Sequence, residues 1–145
     1  MTPIARRLLL AMAVATGLAG CTTLKTRVAV NSPCQNSTAT LYFESGSEAL
    51  TDAGNQIIAL TAKRLKGCNV RELRLLGLAD PTGSAQVNLT LSQHRADNVL
   101  AAFVREGLPV PKYTLVAAGQ KGAVAPNGAI EPVRRQVDVT LVVDR

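Results

Sequence analysis

The residue pattern from 38 to 145 predicts an α+β domain, a sheet covered by helices on at least one face. Three observations carry this reading. The elements run strand, helix, strand, helix, strand, loop, strand. The two helical stretches space their apolar residues at helical periodicity, while the strands are short and rich in β-branched or leucine side chains. Residues 21–145 also make a chain of 125 residues, enough for one hydrophobic core and too few for two. With no Trp and four aromatic residues in all, that core must be built from Leu, Val, Ile and Ala.

Each element has its own signals. Thr22–Ser37 is polar, with Pro33 and Asn36, and reads as a tether and lead-in, so the domain is taken to begin at 38. Thr38–Phe43 (TATLYF) has the β-branched and aromatic character of a first strand, and Ser45–Ser47 follows as a turn. In the next stretch Leu50, Ala53, Ile57, Leu60 and Leu65 fall at helical spacing and are the expected buried face. Thr51 is its N-cap candidate, Asp52 complements the first turn, and Gly67 is a stop. Val70–Leu76 alternates poorly but is rich in Leu and Val, as a buried second strand is. Gly77–Ser84 reads as a loop containing Asp80-Pro81 and Gly83.

A second helix runs from there to Glu106, with Leu91, Ala96, Val99, Leu100 and Phe103 as its core contacts. Ser92 is a second capping candidate, at which the helix could restart. Gly107 and Pro109 end it. Tyr113–Ala117 reads as a third strand, Gly119–Pro132 as a loose segment, and Val137–Val143 (VDVTLVV) as the clearest strand, with Val137, Val139, Leu141 and Val143 on one face.

The amino terminus reads as an export signal. Arg6 and Arg7 precede thirteen almost wholly apolar residues, Leu8–Gly20, a run too short for a usual transmembrane helix and right for a secretory signal. It closes on Leu18-Ala19-Gly20-Cys21, which resembles the lipobox of bacterial lipoproteins. That resemblance implies a signal peptide over 1–20, cleavage before Cys21, and lipidation of Cys21 at its sulfur and new amino group. Residues 21–37 then form a lipidated tether. Thr22 follows the cysteine in place of an aspartate, which resembles an outer-membrane address and implies a lipid-anchored domain in the periplasm. Two or three acyl chains anchor stably, since each buried methylene contributes about 0.8 kcal/mol.

Charge and cysteine content narrow the class. The formal charge of +6 loses Arg6 and Arg7 with the signal, leaving +4, an excess suited to anionic polymers or lipid headgroups. Export and the scarcity of aromatic side chains argue against nucleic acid. Cys34 and Cys68 remain after lipidation, and in an oxidising compartment such a pair reads as a disulfide, the alternative being two buried free thiols. A helix returning the chain to where the first strand began lets these points approach, and closing that loop is worth about 3–4 kcal/mol. No metal or cofactor is expected: the cysteines lack ligand spacing, and the only histidine is His94.

Gly77–Leu108 carries the longest motif. Gly77, Asp80, Gly83, Ser84, Asn88, Leu91, Ser92, Arg95 and Ala96 match a signature of the form G-H-T-D-x-x-G-S-x-x-x-N-x-x-L-S-x-x-R-A. On these residues the chain resembles the OmpA C-terminal-like domain, the peptidoglycan-binding module also found in peptidoglycan-associated lipoproteins and flagellar stator proteins. The likeness extends over about residues 38–143, and a terminal N-R-R-V-E-I-like strand is echoed by Arg134-Arg135-Gln136-Val137-Asp138-Val139. It implies a β-α-β-α-β-β two-layer sandwich. Its mixed four-stranded sheet has order 1-4-2-3, strand 4 runs antiparallel to the others, and both helices lie on one face.

The resemblance also implies a ligand, the diaminopimelate of the peptidoglycan stem peptide, held by Asp80 and Arg95, with Asn88 and Arg135 as further site residues. The chemistry suits these side chains. Diaminopimelate is zwitterionic at its side-chain end, so Asp80 can accept from the ammonium and Arg95 can meet the carboxylate bidentately. Helix-start amides near Ser84 or Ser92 offer further donors.

Three positions depart from the pattern. Leu78-Ala79 replaces His-Thr, Gly119-Gln120-Lys121-Gly122 lacks the glutamate of Gly-x-Gly-Glu, and the terminal asparagine is absent, with Arg135 in the first arginine position. They keep a second function open, a structural or assembly component of an envelope complex that uses this scaffold without gripping peptidoglycan. An enzyme is not expected: no motif activates a serine or cysteine, and nothing sets Asp80 and Glu72 at hydrolase spacing.

Overall fold

The computed structural model of the protein describes residues 34–122 and 134–144. The expected signal peptide, Cys21, most of the tether and most of the loose segment before the last strand lie outside the described residues. Six elements follow the expected order: β1 (Ser37–Tyr42), α1 (Asp52–Arg64), β2 (Val70–Leu78), α2 (Ala85–Arg105), β3 (Tyr113–Gly119) and β4 (Gln136–Val143). They form one four-stranded sheet of order β1-β4-β2-β3. β4 is antiparallel to β1 and β2, whereas β2 and β3 are parallel. Both helices cover one face of this mixed sheet. The α+β sandwich and the strand order implied by the family resemblance are those observed.

β4 shows why one face suffices. Val137, Val139, Leu141 and Val143 are buried, while the alternating Gln136, Asp138, Thr140 and Val142 are half-exposed, the period-2 signature of a sheet with one packed face. Against that face α1 sets Ile58, Ala62 and Leu65, and α2 sets Ala96, Val99, Ala102 and Phe103.

Three sequence expectations are corrected. On α1 the buried stripe is Gly54, Ile58 and Ala62, continued by Leu65, whereas Ala53 is exposed and Ile57 and Leu60 are 39% and 67% exposed. The helix is rotated by about one residue from the expected face, and Gly54 lies on the buried side, where a Cβ would stand 3.3 Å from both the Leu50 side chain and the Thr51 hydroxyl. The second helix does not restart at Ser92. It is continuous from an N-cap at Ser84, whose hydroxyl accepts from the Val87 amide. β2 continues through Leu78 into the expected loop, because Leu78 is 4% exposed and the next amide, Ala79, donates to the Gly119 carbonyl at 2.9 Å.

Two glycines set how α2 lies on the sheet. A Cβ on Gly77 would stand 2.1 Å from the Ser92 carbonyl oxygen, so only glycine lets the helix backbone touch β2. At Gly119 the backbone has φ +53°, and a Cβ would lie 3.1 Å from the Leu89 nitrogen. Its amide donates to the Ser92 hydroxyl at 3.0 Å, and that hydroxyl donates to the Leu89 carbonyl at 2.8 Å. Ser92 thus fastens α2 to the end of β3.

Cys34 and Cys68 are disulfide-bonded, with Cα atoms 5.3 Å apart. The bond joins the lead-in before β1 to the segment between α1 and β2, at the end of the sheet where β1 and β2 begin.

Candidate functional site

Because β1, β2 and β3 run in one direction and β4 in the other, one end of the sheet gathers five termini. They are the last residues of β1, β2 and β3, the start of β4 and the start of α2. The motif residues and the terminal arginines meet there.

Arg95 lies beneath this end, fully buried on α2. Its Nε donates to the Ser47 carbonyl at 2.8 Å, and its two terminal nitrogens donate to Leu78 and Glu44 carbonyls at 3.1 Å each. The guanidinium also stacks over the Phe43 ring, 5.1 Å from its centroid, a favourable cation–π contact. Burial pushes the Arg95 pKa down; Asp80 opposes that shift and Arg135 adds to it. Arginine keeps its charge in such surroundings, so a fixed cation holds the β1–α1 turn and the end of β2 together by their carbonyls. The family resemblance implies that this fork meets a ligand carboxylate; in the structure three of its five N–H donors are taken by backbone carbonyls.

Asp80 sits above, its side chain 14% exposed. Oδ1 accepts from the Thr82 amide at 3.2 Å, closing an Asx-type turn. Oδ2 faces the Arg135 guanidinium at 3.6 Å, and the Arg135 side chain is 38% exposed. Arg135 in turn donates from Nε to the Phe43 carbonyl at 3.3 Å and accepts the Phe43 amide at its own carbonyl, 2.8 Å away. The neighbouring Arg134 turns away and bonds the Gly122 carbonyl. The site therefore brings Asp80, Arg95 and Arg135 together in two layers, a buried cation below and a partly exposed ion pair above. A partly exposed pair of this kind is worth about 0–1 kcal/mol, so a ligand can exchange with it at small cost. The triply bonded Arg95 has no such freedom.

Asn88 is 2% exposed and donates to Gln120 Oε1 at 2.8 Å. It braces the start of α2 against the segment after β3. Leu78 and Ala79 are 4% and 1% exposed, which makes the departures from the histidine and threonine pattern part of an apolar floor.

Sequence reasoning did not single out the α2 face that holds the β1–α1 turn. His94 Nδ1 lies 2.8 Å from a Glu48 carboxylate oxygen, and Asn98 donates to the Glu48 carbonyl at 2.9 Å. With Arg95 these residues form one helical patch, His94 and Asn98 being four apart, a spacing that could have signalled a shared partner. Glu72 lies at the far end of β2, bonded to Arg74 at 2.9 Å and to the Thr114 hydroxyl at 3.0 Å. Asp80 and Glu72 thus belong to opposite ends of the same strand. Among the described residues no group of three or more His, Cys, Asp or Glu side chains is arranged to hold a metal ion.

Comparison with known proteins agrees with this architecture. The OmpA-like domain of FopA1 from Francisella tularensis has the same fold, with a TM-score of 0.63 at 19% identity, covering 76% of this chain and 77% of that one. The probable lipoprotein YiaD of Escherichia coli K12 is 31% identical over 101 residues, 68% of this chain and 46% of YiaD. The peptidoglycan-associated lipoprotein of Pseudomonas aeruginosa is 33% identical over 86 residues, 59% of this chain and 51% of that protein. The chain therefore spans about half the length of these curated relatives. The model of the OmpA family matches residues 42–136, from the last residue of β1 through the Asp80 loop and α2 to the first residue of β4. With the signature residues, the strand order and this match in agreement, the chain belongs to the OmpA family, a family of binding and structural modules and not of catalysts.

Proposed function

We propose that the protein is a lipid-anchored envelope module that binds peptidoglycan non-covalently, through the diaminopimelate of the stem peptide, and ties the outer membrane to the wall. The observation that carries this reading is the exchangeable Asp80–Arg135 pair above a fixed cation. A zwitterionic amino-acid end fits that arrangement: its ammonium takes the Asp80 carboxylate, and its carboxylate takes the freed Arg135 guanidinium. Arg95 holds the walls of the site and adds positive potential below it. Two relatives bear on this reading: the peptidoglycan-associated lipoprotein of Pseudomonas aeruginosa, and the peptidoglycan-binding protein ArfA of Mycobacterium tuberculosis, 28% identical over 104 residues. Lipidation at Cys21 and an outer-membrane address rest on the Leu18-Ala19-Gly20-Cys21-Thr22 sequence. The alternative, an assembly component that does not grip the wall, draws on the apolar Leu78-Ala79 floor, which offers no side-chain hydroxyl or imidazole to a ligand.

Retention on purified sacculi separates the two. The wild-type protein should co-sediment with diaminopimelate-containing sacculi, and free diaminopimelate should compete. Asp80→Ala and Arg135→Ala should each lose binding, since breaking a charged contact costs about 2–5 kcal/mol. If Arg135→Ala is retained while a folded Arg95→Lys variant is not, the contact belongs to Arg95. Equal retention of all variants rejects the site, and no retention of wild type favours the assembly role. Palmitate labelling should disappear with Cys21→Ser; label that persisted would refute the lipid attachment.

A further inference from the structure

The end of the domain opposite the Asp80 site carries an unbalanced ring of cations. Lys63 and Arg64 close α1, Lys66 follows it, Arg71 opens β2, Arg105 closes α2, and Lys112 precedes β3; all six are exposed. The acids at this end are Glu72, Glu106 and Asp144, so three positive charges remain in excess. At the opposite end the described acids Glu44, Glu48, Asp52, Asp80 and Asp138 outnumber the cations Arg95, Lys121, Arg134 and Arg135 by one. Helix dipoles account for Lys63, Arg64 and Arg105 in the last turns. Lys66, Arg71 and Lys112 lie outside the helices; Arg71 faces Asp144 and Lys112 faces Glu72, each at 3.7 Å in a partly exposed pair of small worth. Apolar side chains stand among the cations: Leu60 is 67% exposed, Val104 57% and Tyr113 56%. Between the helix ends Lys63, Lys66, Gly67, Glu106 and Pro109 border an open groove of about 500 Å³.

The same end is where the chain enters the domain, since Cys34 is bonded there to Cys68. If Cys21 carries lipid, twelve residues lie between the anchor and Cys34, at most about 45 Å of chain. A surface held that close to a bilayer meets it at high effective concentration.

We propose that this basic end is a docking surface for anionic phospholipid, so that the domain rests on its own membrane with the Asp80 site turned outward. Cations gather at acidic headgroups while exposed Leu, Val and Tyr side chains sit at the headgroup level. The occupant is a bilayer because charge and tether direct it to the same place. The geometric argument rests on the lipid-anchor reading, and the experiment tells the two apart.

Full-length protein isolated from the envelope is mixed with vesicles of phosphatidylethanolamine and phosphatidylglycerol (3:1), or of phosphatidylethanolamine and phosphatidylcholine in the same ratio. Flotation reports anchoring, and the rate of lysine acetylation reports docking. Lys63, Lys66 and Lys112 lie at the basic end and Lys121 at the other, so Lys121 is the internal control. On anionic vesicles acetylation of the first three should slow by about fivefold relative to Lys121. The effect should vanish on zwitterionic vesicles and in high salt. The triple variant Arg64→Gln, Arg71→Gln, Arg105→Gln keeps every reporter lysine and should lose most of the protection, with unchanged circular dichroism. Flotation on both vesicles with equal lysine rates overturns the docking and leaves the anchor standing. Flotation on anionic vesicles alone, with protection, supports docking and overturns the anchor. No flotation on either overturns both.

Discussion

The two ends of the sheet each bury one charge, and they neutralise it in different ways. At the site end Arg95 is surrounded by three backbone carbonyls from two segments, and among the described residues no carboxylate forms an ion pair with it. At the other end Glu72 is 6% exposed and is held by side chains, Arg74 and Thr114, with Lys112 at 3.7 Å. The first arrangement uses the charge to position loops; the second uses charges to satisfy one carboxylate on a sheet face. The covalent closure belongs to the second end. Loops that border a site must keep a defined shape while leaving their side chains free, and bonding their carbonyls to a buried cation does that. Strand beginnings that need only stay together are served by a disulfide and ion pairs.

Arg95→Ala is the change expected to break this contrast most. It leaves three carbonyls without their donor and a cavity beside Phe43, and should cost about 3–5 kcal/mol in urea unfolding. Arg135→Ala, a partly exposed residue, should cost about 1 kcal/mol or less in the same measurement. Similar values for the two arginines would contradict the division between a bracing and a contacting guanidinium. Next in size, removing the disulfide through the double variant Cys34→Ser, Cys68→Ser should cost about 3–4 kcal/mol. A wild-type protein that unfolds at the same urea concentration with and without reductant would show that the bridge adds nothing at the basic end.

Gly77→Ala is expected to cost about 1–3 kcal/mol, because the new Cβ meets backbone and not a movable side chain. An unchanged thermal midpoint would mean that α2 can shift off β2, and the site geometry built on that contact would then be adjustable.

The smallest effect is electrostatic. The hydrogen bond from Arg74, then that from Thr114, holds the Glu72 carboxyl below its ordinary value of 4.5. A depressed carboxyl pKa contributes stability that is complete above the unfolded value and is lost as pH falls through the folded one. The urea midpoint should therefore decline as pH drops below 4.5, and Glu72→Gln should flatten that decline. The same slope in both proteins would assign the acid sensitivity to other carboxylates.

Much of this molecule is legible residue by residue. The Thr51 cap, the stop after Arg105, the alternating valines of β4 and the Cys34–Cys68 approach are local or pairwise signals, and each has a visible structural counterpart; the cap of α2 is at Ser84 and not at the Ser92 the spacing offered. The rotation of α1 was not legible, since Ile57 and Leu60 are as apolar as Ile58 and Leu65 and several stripes satisfy the same periodicity. The role of Arg95 was not legible either. Its partners are carbonyls of Glu44, Ser47 and Leu78, and a backbone acceptor leaves no mark in the identity of its residue.

By itself the sequence determined the order of the elements, the Thr51 cap and the breaks, the membership in a family through the Gly77–Ala96 signature, and the set of charged residues available to a site. Those are properties of neighbours along the chain, written in residue type and spacing. Only the tertiary structure decided which guanidinium is buried and which faces Asp80, which face of α1 meets the sheet, and that the spare cations share an end of the sheet with the disulfide. These depend on where distant backbone segments stand relative to one another. Here that is set by non-local contacts such as the approach of Ser92 to Gly77, which lets α2 lie on β2 and carries Arg95 beneath the turn after β1.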